Sequence, residues 1–246
     1  PLARALGGLA PVRVVVPDGE RSWVGKAITR AAPITVTPAE RDGVEMLACS
    51  GFPADCVQLA VNTLFDEPPL LVVSGINLGY NHGSAYLQSS GTLGAAMEAC
   101  LAGVDGLAVS AGVETDFHAW RSWALTDQSI PMWERLASIA ADLAGVMLEA
   151  GRLSVTINAN LPHDADRDTE RRLTTVARTG YDRLFREESP GTFVHDYRGG
   201  IHHRSALEGT DVDAAADGVV SITPVKAISE VGLPEPLAGL LDPSPS

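Results

Sequence analysis

Short apolar runs alternate with longer helical patterns through the first two thirds of the chain. Strands are predicted at Val12–Val16, Pro69–Val73, Gly106–Ser110 and Leu153–Ala159. Helices are predicted at Pro53–Leu64, Gly91–Ala102 and Pro131–Ala150. Strands that alternate with helices of this length form βαβ units, in which parallel strands build a sheet and helices cover both of its faces. The sequence therefore predicts an α/β fold with a mostly parallel sheet.

The pattern changes after Pro162, where charged residues and short strand-like runs separated by turn residues replace the βαβ spacing. This favours a β-rich, antiparallel C-terminal extension. We expect a core over residues 1–162, the extension over residues 163–229, and a terminal segment over residues 230–246. The acidic residues that follow Ser205, Asp211 among them, are expected to form a solvated acidic face.

The charge balance limits the classes of partner. The 246 residues include 18 Lys and Arg against 31 Asp and Glu, a formal net charge of −13. A nucleic-acid backbone or an anionic membrane needs a positive surface, so neither is expected as a partner. A small phosphorylated ligand needs only a local site and remains compatible with this charge. The three cysteines have no metal-ligand spacing and predict free thiols in a reducing compartment, which here means the cytoplasm.

Three polar segments follow predicted strands or begin a predicted helix, where an open parallel sheet binds its ligands. They are Pro17–Ser22, Ser74–Asn81 and Ser89–Thr92. The last segment places hydroxyl groups and a glycine at a helix N-terminus, a favourable environment for an anion. An ordinary serine or threonine cap explains the same residues.

Two asparagines, Asn77 and Asn81, lie four residues apart in the second segment. Amide oxygens are suitable ligands for Mg²⁺ or Mn²⁺, although turn asparagines account for the same pattern. Ser22 is a candidate hydroxyl ligand or nucleophile. The chain contains no G-x-S-x-G motif, no P-loop and no G-x-G-x-x-G motif after a strand, which disfavours a serine hydrolase, an NTPase and a dinucleotide-dependent oxidoreductase.

Seven short motifs occur in an order that resembles one family. They are P-D-x-x-R-S (17–22), G-F-P-A-D-C-V (51–57), S-G-I-N-L-G-Y-N (74–81), S-G-T-L-G-A-A-M-E (90–98), I-N-A-N-L-P (157–162), G-T-D (209–211) and V-S-I-T-P (220–224). Together they resemble the SurE family (survival protein E) of metal-dependent 5′/3′-nucleotidases. The resemblance extends from Pro1 to about Val225.

This resemblance implies a Rossmann-like core with a β-rich extension that takes part in assembly of a homodimer or homotetramer. It implies one divalent ion per subunit, Mg²⁺ or Mn²⁺, held by two consecutive aspartates, a serine and an asparagine. Ser22 matches the serine and Asn77 the asparagine. The residues that match the phosphate-binding turn and pocket are Asn81, Ser90, Gly91 and Thr92.

Two departures from the family pattern are visible. Only 21 residues precede Ser22, so the family's Asn-Asp-Asp-Gly motif, with its catalytic and metal-binding aspartates, is expected upstream of Pro1. The family's first strand is interior to its sheet, and we expect the polypeptide to continue in that direction. Trp23–Lys26 replace the small polar residues common after the serine, and Lys26 is a candidate for reaching a phosphate oxygen.

The expected function is divalent-metal-dependent hydrolysis of phosphate monoesters, with nucleoside 5′- or 3′-monophosphates as the expected substrates. The alternative is a catalytically impaired nucleotide-binding or regulatory module of the same fold. The unseen upstream sequence discriminates the two, because the enzyme requires the aspartate pair. A chain without that pair is expected to bind metal weakly and to turn over very slowly.

Overall fold

The structure is a computed structural model that describes residues 1–197 and 201–226. Its helices are α1 (Leu2–Gly7), α2 (Pro53–Leu59), α3 (Gly83–Ser89), α4 (Gly91–Leu101), α5 (Phe117–Ala124), α6 (Ile130–Ala150) and α7 (Asp211–Ala216), with a π-helical turn at Ala60–Leu64 and a 3₁₀ turn at Asp127–Ser129. Its strands are β1 (Val15–Pro17), β2 (Val36–Arg41), β3 (Val44–Cys49), β4 (Leu71–Leu78), β5 (Asp105–Gly112), β6 (Thr156–Pro162), β7 (Arg171–Leu173), β8 (Thr179–Tyr181), β9 (Phe185–Ser189), β10 (Thr192–His195), β11 (Ile201–His203) and β12 (Val220–Val225).

A five-stranded sheet forms the centre of the fold, in the order β4-β5-β6-β12-β7. β4, β5 and β6 are mutually parallel. β12 runs antiparallel to β6 and parallel to β7. Every residue of β5 is buried, as expected for a central strand that is covered on both faces. The predicted α/β class and mostly parallel sheet are confirmed.

Helices α6 and α4 cover opposite faces of this sheet. On α6, which confirms the helix predicted at Pro131–Ala150, a buried apolar stripe consists of Met132, Leu136, Ile139, Leu143 and Met147. On the other face, α4 approaches β5 so closely that a Cβ atom on Gly106 would lie 2.1 Å from the carbonyl oxygen of Ala96. The small residues of α4 therefore bring its N-terminus close to the carboxyl edge of the sheet.

The Val12 strand does not join the main sheet. β1 pairs in parallel with β3, and β3 pairs with β2 as an antiparallel hairpin. These strands form a separate three-stranded sheet, so the expectation that one sheet edge carries all three polar segments is wrong for the first of them. The loop after β1 reaches the other two segments by packing on α4, as described below.

The segment beyond residue 162 contributes both to the main sheet and to small antiparallel pairs. β7 and β12 complete the main sheet, whereas β9 pairs with β10 and β8 with β11. The β-rich extension agrees with the structure. The domain boundaries stay a prediction, and residues 230–246 lie outside the described residues. No helix of the described residues combines the length and apolar character needed to cross a membrane.

Candidate active site

The N-terminus of α4 is the centre of the candidate site. Ser90 is its N-cap, and the Ser90 Oγ accepts the Leu93 N–H at 3.1 Å. The first N–H groups of an α-helix have no partner within the helix, so those of Gly91 and Thr92 are directed outward with the positive end of the helix dipole. This arrangement suits an anion such as a phosphate group.

The loop that carries Ser22 packs against this helix end. The Gly25 N–H donates to the Ser89 carbonyl at 2.9 Å. A Cβ atom on Gly94 would lie 2.5 Å from the Gly25 carbonyl oxygen, so the loop and the first turn of α4 are in direct backbone contact. Gly91 lies close to Arg21 and Val24, which flank Ser22. The structure thus places Ser22 beside the helix N-terminus, with its Oγ donating to Glu20 Oε1 at 2.7 Å.

Asn77 reaches the same helix end from β4. The pairing of β4 with β5 is interrupted between Ser74 and Asn77, and the strand continues to Leu78, so most of the polar segment Ser74–Asn81 is strand. A Cβ atom on Gly75 would lie 2.2 Å from the Val109 carbonyl oxygen, so only glycine fits this crossing. The Asn77 amide nitrogen donates to the Gly79 carbonyl, and its Oδ1 accepts from Thr92 Oγ1 at 3.3 Å.

Asn81 is a member of a buried amide network rather than a surface turn. Its side-chain nitrogen donates to Ser110 Oγ at 2.7 Å, and its backbone N–H donates to Asn160 Oδ1 at 2.8 Å. Its carbonyl accepts from the amides of Asn158 and Asn160. The network holds the loop after β4 over the ends of β5 and β6. The predicted contact of Asn81 with phosphate stays a prediction.

Lys26 faces the inner side of the loop, where it forms an ion pair with Glu98 of α4. The Glu98 side chain is 6% exposed and that of Lys26 is 33% exposed. Glu98 also accepts from the amide of Gln58 on α2. The ammonium group therefore already has a buried partner, and a contact between Lys26 and a phosphate oxygen stays a prediction.

The donor set can be tested against a divalent ion. Ser22 Oγ and Asn77 Oδ1 are neutral, hard oxygen atoms of the kind that Mg²⁺ and Mn²⁺ accept. They fit as part of a ligand set. Within residues 1–197 and 201–226, no three His, Cys, Asp or Glu side chains are grouped closely enough to hold a metal. The sequence also contains no two consecutive aspartates, so the aspartate pair implied by the family resemblance is not among these residues.

Asp211 corrects one expectation. The sequence analysis placed it on a solvated acidic face, but it is fully buried. Its carboxylate accepts the Gly83 N–H and the Ala177 N–H, each at 2.9 Å. Burial raises the pKa of this carboxyl group, while the backbone donors act in the opposite direction. Asp211 therefore fixes the start of α3. In the sequence, the one feature that could have indicated this structural role was its place in the G-T-D motif.

An aromatic cluster beside the site is not predicted by the sequence patterns. It consists of Trp23, Tyr86, Tyr181, His195 and Tyr197, which we call the aromatic cluster. The Tyr86 and Tyr197 hydroxyls are hydrogen-bonded at 2.7 Å, and the Tyr181 hydroxyl bonds to Ser89. Burial raises the pKa of Tyr86 and of Tyr181, so both phenols stay neutral at physiological pH. Sequence separations of up to 174 residues (23 to 197) hide this cluster from any local pattern.

Comparisons with known proteins place these features in a family. A model of the family described as survival protein SurE matches residues 1–183. The chain is 37% identical over 232 residues to the 5′-nucleotidase SurE of Moorella thermoacetica, an alignment that covers 91% of this chain and 83% of the relative. It is 38% identical over 227 residues to the 5′-nucleotidase SurE of Syntrophotalea carbinolica, covering 91% and 84%.

A solved structure supports the same relationship. The crystal structure of the SurE protein from Aquifex aeolicus superimposes with a TM-score of 0.69 at 29% identity, covering 92% of this chain and 86% of that chain. The family model matches well over half of the chain, and three of the seven motifs that carry the resemblance (17–22, 74–81 and 90–98) build the N-terminus of α4 and its neighbouring loops. On these grounds the chain belongs to the SurE family.

Proposed function

We propose that this protein hydrolyses phosphate monoesters, with nucleoside monophosphates as substrates. The observation that carries the proposal is the convergence of Ser22, Asn77 and Thr92 at the N-terminus of α4, in a chain whose relatives are 5′-nucleotidases. Either phosphate position, 5′ or 3′, is compatible with this geometry.

The residues at the helix end have separate roles in this proposal. The N–H groups of Gly91 and Thr92 and the Thr92 hydroxyl bind the phosphate oxygens. Because they are held by the fold before the substrate arrives, they also stabilise the additional negative charge of the transition state. Ser90 keeps the first turn of α4 in place through its cap. The Thr92 hydroxyl donates to Asn77 Oδ1 in this structure and would turn its single proton to a phosphate oxygen when the substrate binds.

Ser22 and Asn77 would hold one divalent ion, Mg²⁺ or Mn²⁺, through their side-chain oxygens. Such an ion, when bound, neutralises phosphate charge and lowers the pKa of a coordinated water. Both side chains are neutral, so carboxylates must complete the ligand set, and their location upstream of Pro1 stays a prediction. Assembly of two or four copies and a cytoplasmic location also stay predictions.

A phosphatase assay tests the proposal. The full-length protein is incubated with a panel of nucleoside monophosphates in Mg²⁺ or Mn²⁺, with and without EDTA. We expect phosphate release that EDTA abolishes, and a loss of at least tenfold in kcat/KM for Ser22→Ala and Asn77→Ala, as for other preorganised site groups. Ser122→Ala, on the exposed helix α5, is the matched control.

The outcomes separate the candidate functions. Phosphate release that is unaffected by EDTA and by both variants would contradict the metal site. Nucleotide binding without hydrolysis under every condition would contradict the enzyme and favour the impaired nucleotide-binding module instead.

A further inference from the structure

We infer that Trp23, supported by Tyr181, forms a stacking subsite for the nucleobase of a nucleoside monophosphate. The inference rests on the proposed function, because it assigns the part of the substrate that the phosphate site does not contact.

The backbone presents Trp23 in a fixed and costly conformation. Its φ is +60°, in the left-handed region that a bulky residue rarely adopts. The neighbouring contacts hold it there, because the Gly25 N–H is bonded to the Ser89 carbonyl at 2.9 Å. Ser22 lies beside the helix end that binds phosphate in the proposed function. The fixed backbone therefore holds the Trp23 side chain at a constant distance from the bound phosphate group.

Aromatic neighbours hold the indole from several elements of the fold. The Trp23 ring centroid lies 5.1 Å from those of Tyr181 and His195, and 5.3 Å from that of Tyr197. The Tyr181 hydroxyl is bonded to Ser89, which directly precedes the cap of α4. The aromatic cluster is therefore tied to the same helix end as the phosphate site.

One side of this arrangement is open. Trp23 remains 41% exposed despite its four ring neighbours. A cavity of about 690 Å³ adjoins it, with Tyr181, Gln88, Ser89 and Gly180 also in its lining. This volume falls within the roughly 300–1,000 Å³ of small-molecule sites. Gln88 is exposed on α3, and its amide can donate to and accept from a polar ring edge.

The two aromatic rings in the lining, Trp23 and Tyr181, favour a flat aromatic ligand group, and the ammonium group of Lys26, also in the lining, is paired with Glu98. Bases stack on aromatic side chains with a contribution of about 1–3 kcal/mol each. The phenols of the cluster are engaged with each other or with Ser89, so they stiffen the platform and do not compete for the ligand. A sugar phosphate that lacks a base cannot use the platform. The subsite should therefore distinguish nucleotides from other phosphate monoesters.

Two measurements on the full protein test the inference. Binding of adenosine, which has no phosphate to hydrolyse, is measured by calorimetry. The ratio of kcat/KM for AMP to that for ribose 5-phosphate is measured in parallel. Trp23→Ala is expected to weaken adenosine binding and to lower kcat/KM for AMP by roughly 5- to 150-fold, the range that corresponds to the stacking contribution. The value of kcat/KM for ribose 5-phosphate should change by less than about twofold, since this substrate makes no stacking contact.

Control variants keep the result interpretable. Trp23→Phe retains a ring and should lose less than Trp23→Ala, and Trp123→Ala removes a similarly exposed tryptophan (37%) from α5 and should change nothing. Equal losses for AMP and ribose 5-phosphate, or adenosine binding that is insensitive to Trp23, would overturn the subsite. Trp23-dependent adenosine binding without hydrolysis of either phosphate would support the subsite and contradict the proposed enzyme.

Discussion

Adding one methyl group to Gly94 tests whether the contact between α4 and the Ser22 loop positions the site. In Gly94→Ala the new Cβ would lie 2.5 Å from the Gly25 carbonyl oxygen and 2.9 Å from Lys26 Cα. Ordinary contact begins at 3.4 Å, so the loop must retreat by about 3.4 − 2.5 = 0.9 Å. Both partners are backbone atoms, which cannot rotate away, so the displacement passes to Ser22 and Trp23.

The magnitude follows from two opposing effects. Replacing a helical glycine by alanine stabilises a helix by roughly 0.5–1 kcal/mol, and overpacking costs roughly 1–3 kcal/mol. We expect a net loss of about 0–2.5 kcal/mol in the free energy of unfolding. A misplacement near 1 Å can cost about 100-fold in rate, so kcat/KM should fall far more than stability does.

Gly145→Ala provides the matched control, because Gly145 also lies inside a helix but its Cβ would meet only Leu9 at 3.9 Å. It should gain stability and keep full activity. The assays are urea unfolding and AMP hydrolysis for both variants. If Gly94→Ala were as stabilising as Gly145→Ala and equally active, the loop contact would not position the site.

Two further predictions concern buried carboxylates. Asp211→Asn should lower the free energy of unfolding by roughly 1–3 kcal/mol, because an amide NH₂ would face the N–H of Gly83 or Ala177. Burial raises the pKa of the Asp211 carboxyl group above its ordinary value of 3.8. The folded state therefore holds the proton more tightly than the unfolded state does, and the contribution of Asp211 to stability falls as the pH rises from 3.8 to the folded-state pKa. The difference in stability between the wild type and this variant, from urea unfolding at several pH values, should therefore narrow above pH 3.8; a widening difference would refute the reasoning. Lys26→Met should lower the free energy of unfolding by roughly 2 kcal/mol, which is less than for a fully buried ion pair because Lys26 is partly exposed. Adding Glu98→Gln should restore part of this loss, because it removes the unpaired buried charge. An undiminished loss in the double variant would show that the ion pair is not its cause, and an unchanged KM in Lys26→Met would dispose of its proposed phosphate contact.

Local patterns were sufficient for most of the main sheet and its helices. The apolar stripe of α6, the proline at the start of α2 and the glycine-rich start of α4 each predict their element within a few residues, because side-chain periodicity and capping act over one or two turns. They were not sufficient for residues 74–78 of β4 or for α3, where glycines make a strand and a short helix resemble a polar loop. A glycine considered without its spatial neighbours indicates a loop. In the structure, Gly75 lies inside a strand, where the Val109 carbonyl approaches too closely to leave room for a Cβ atom.

The order of its motifs alone determined that this chain belongs with the SurE proteins and which side chains are candidates for the phosphate and metal sites. Only the tertiary structure decided that β1 lies outside the main sheet, that Lys26 is paired with Glu98 and that Asp211 is buried. It also decided that Trp23 meets aromatic residues more than 150 positions away. The physical reason is that burial and ion pairing depend on contacts between residues far apart in the sequence. The residues along a single helix or strand do not determine these contacts.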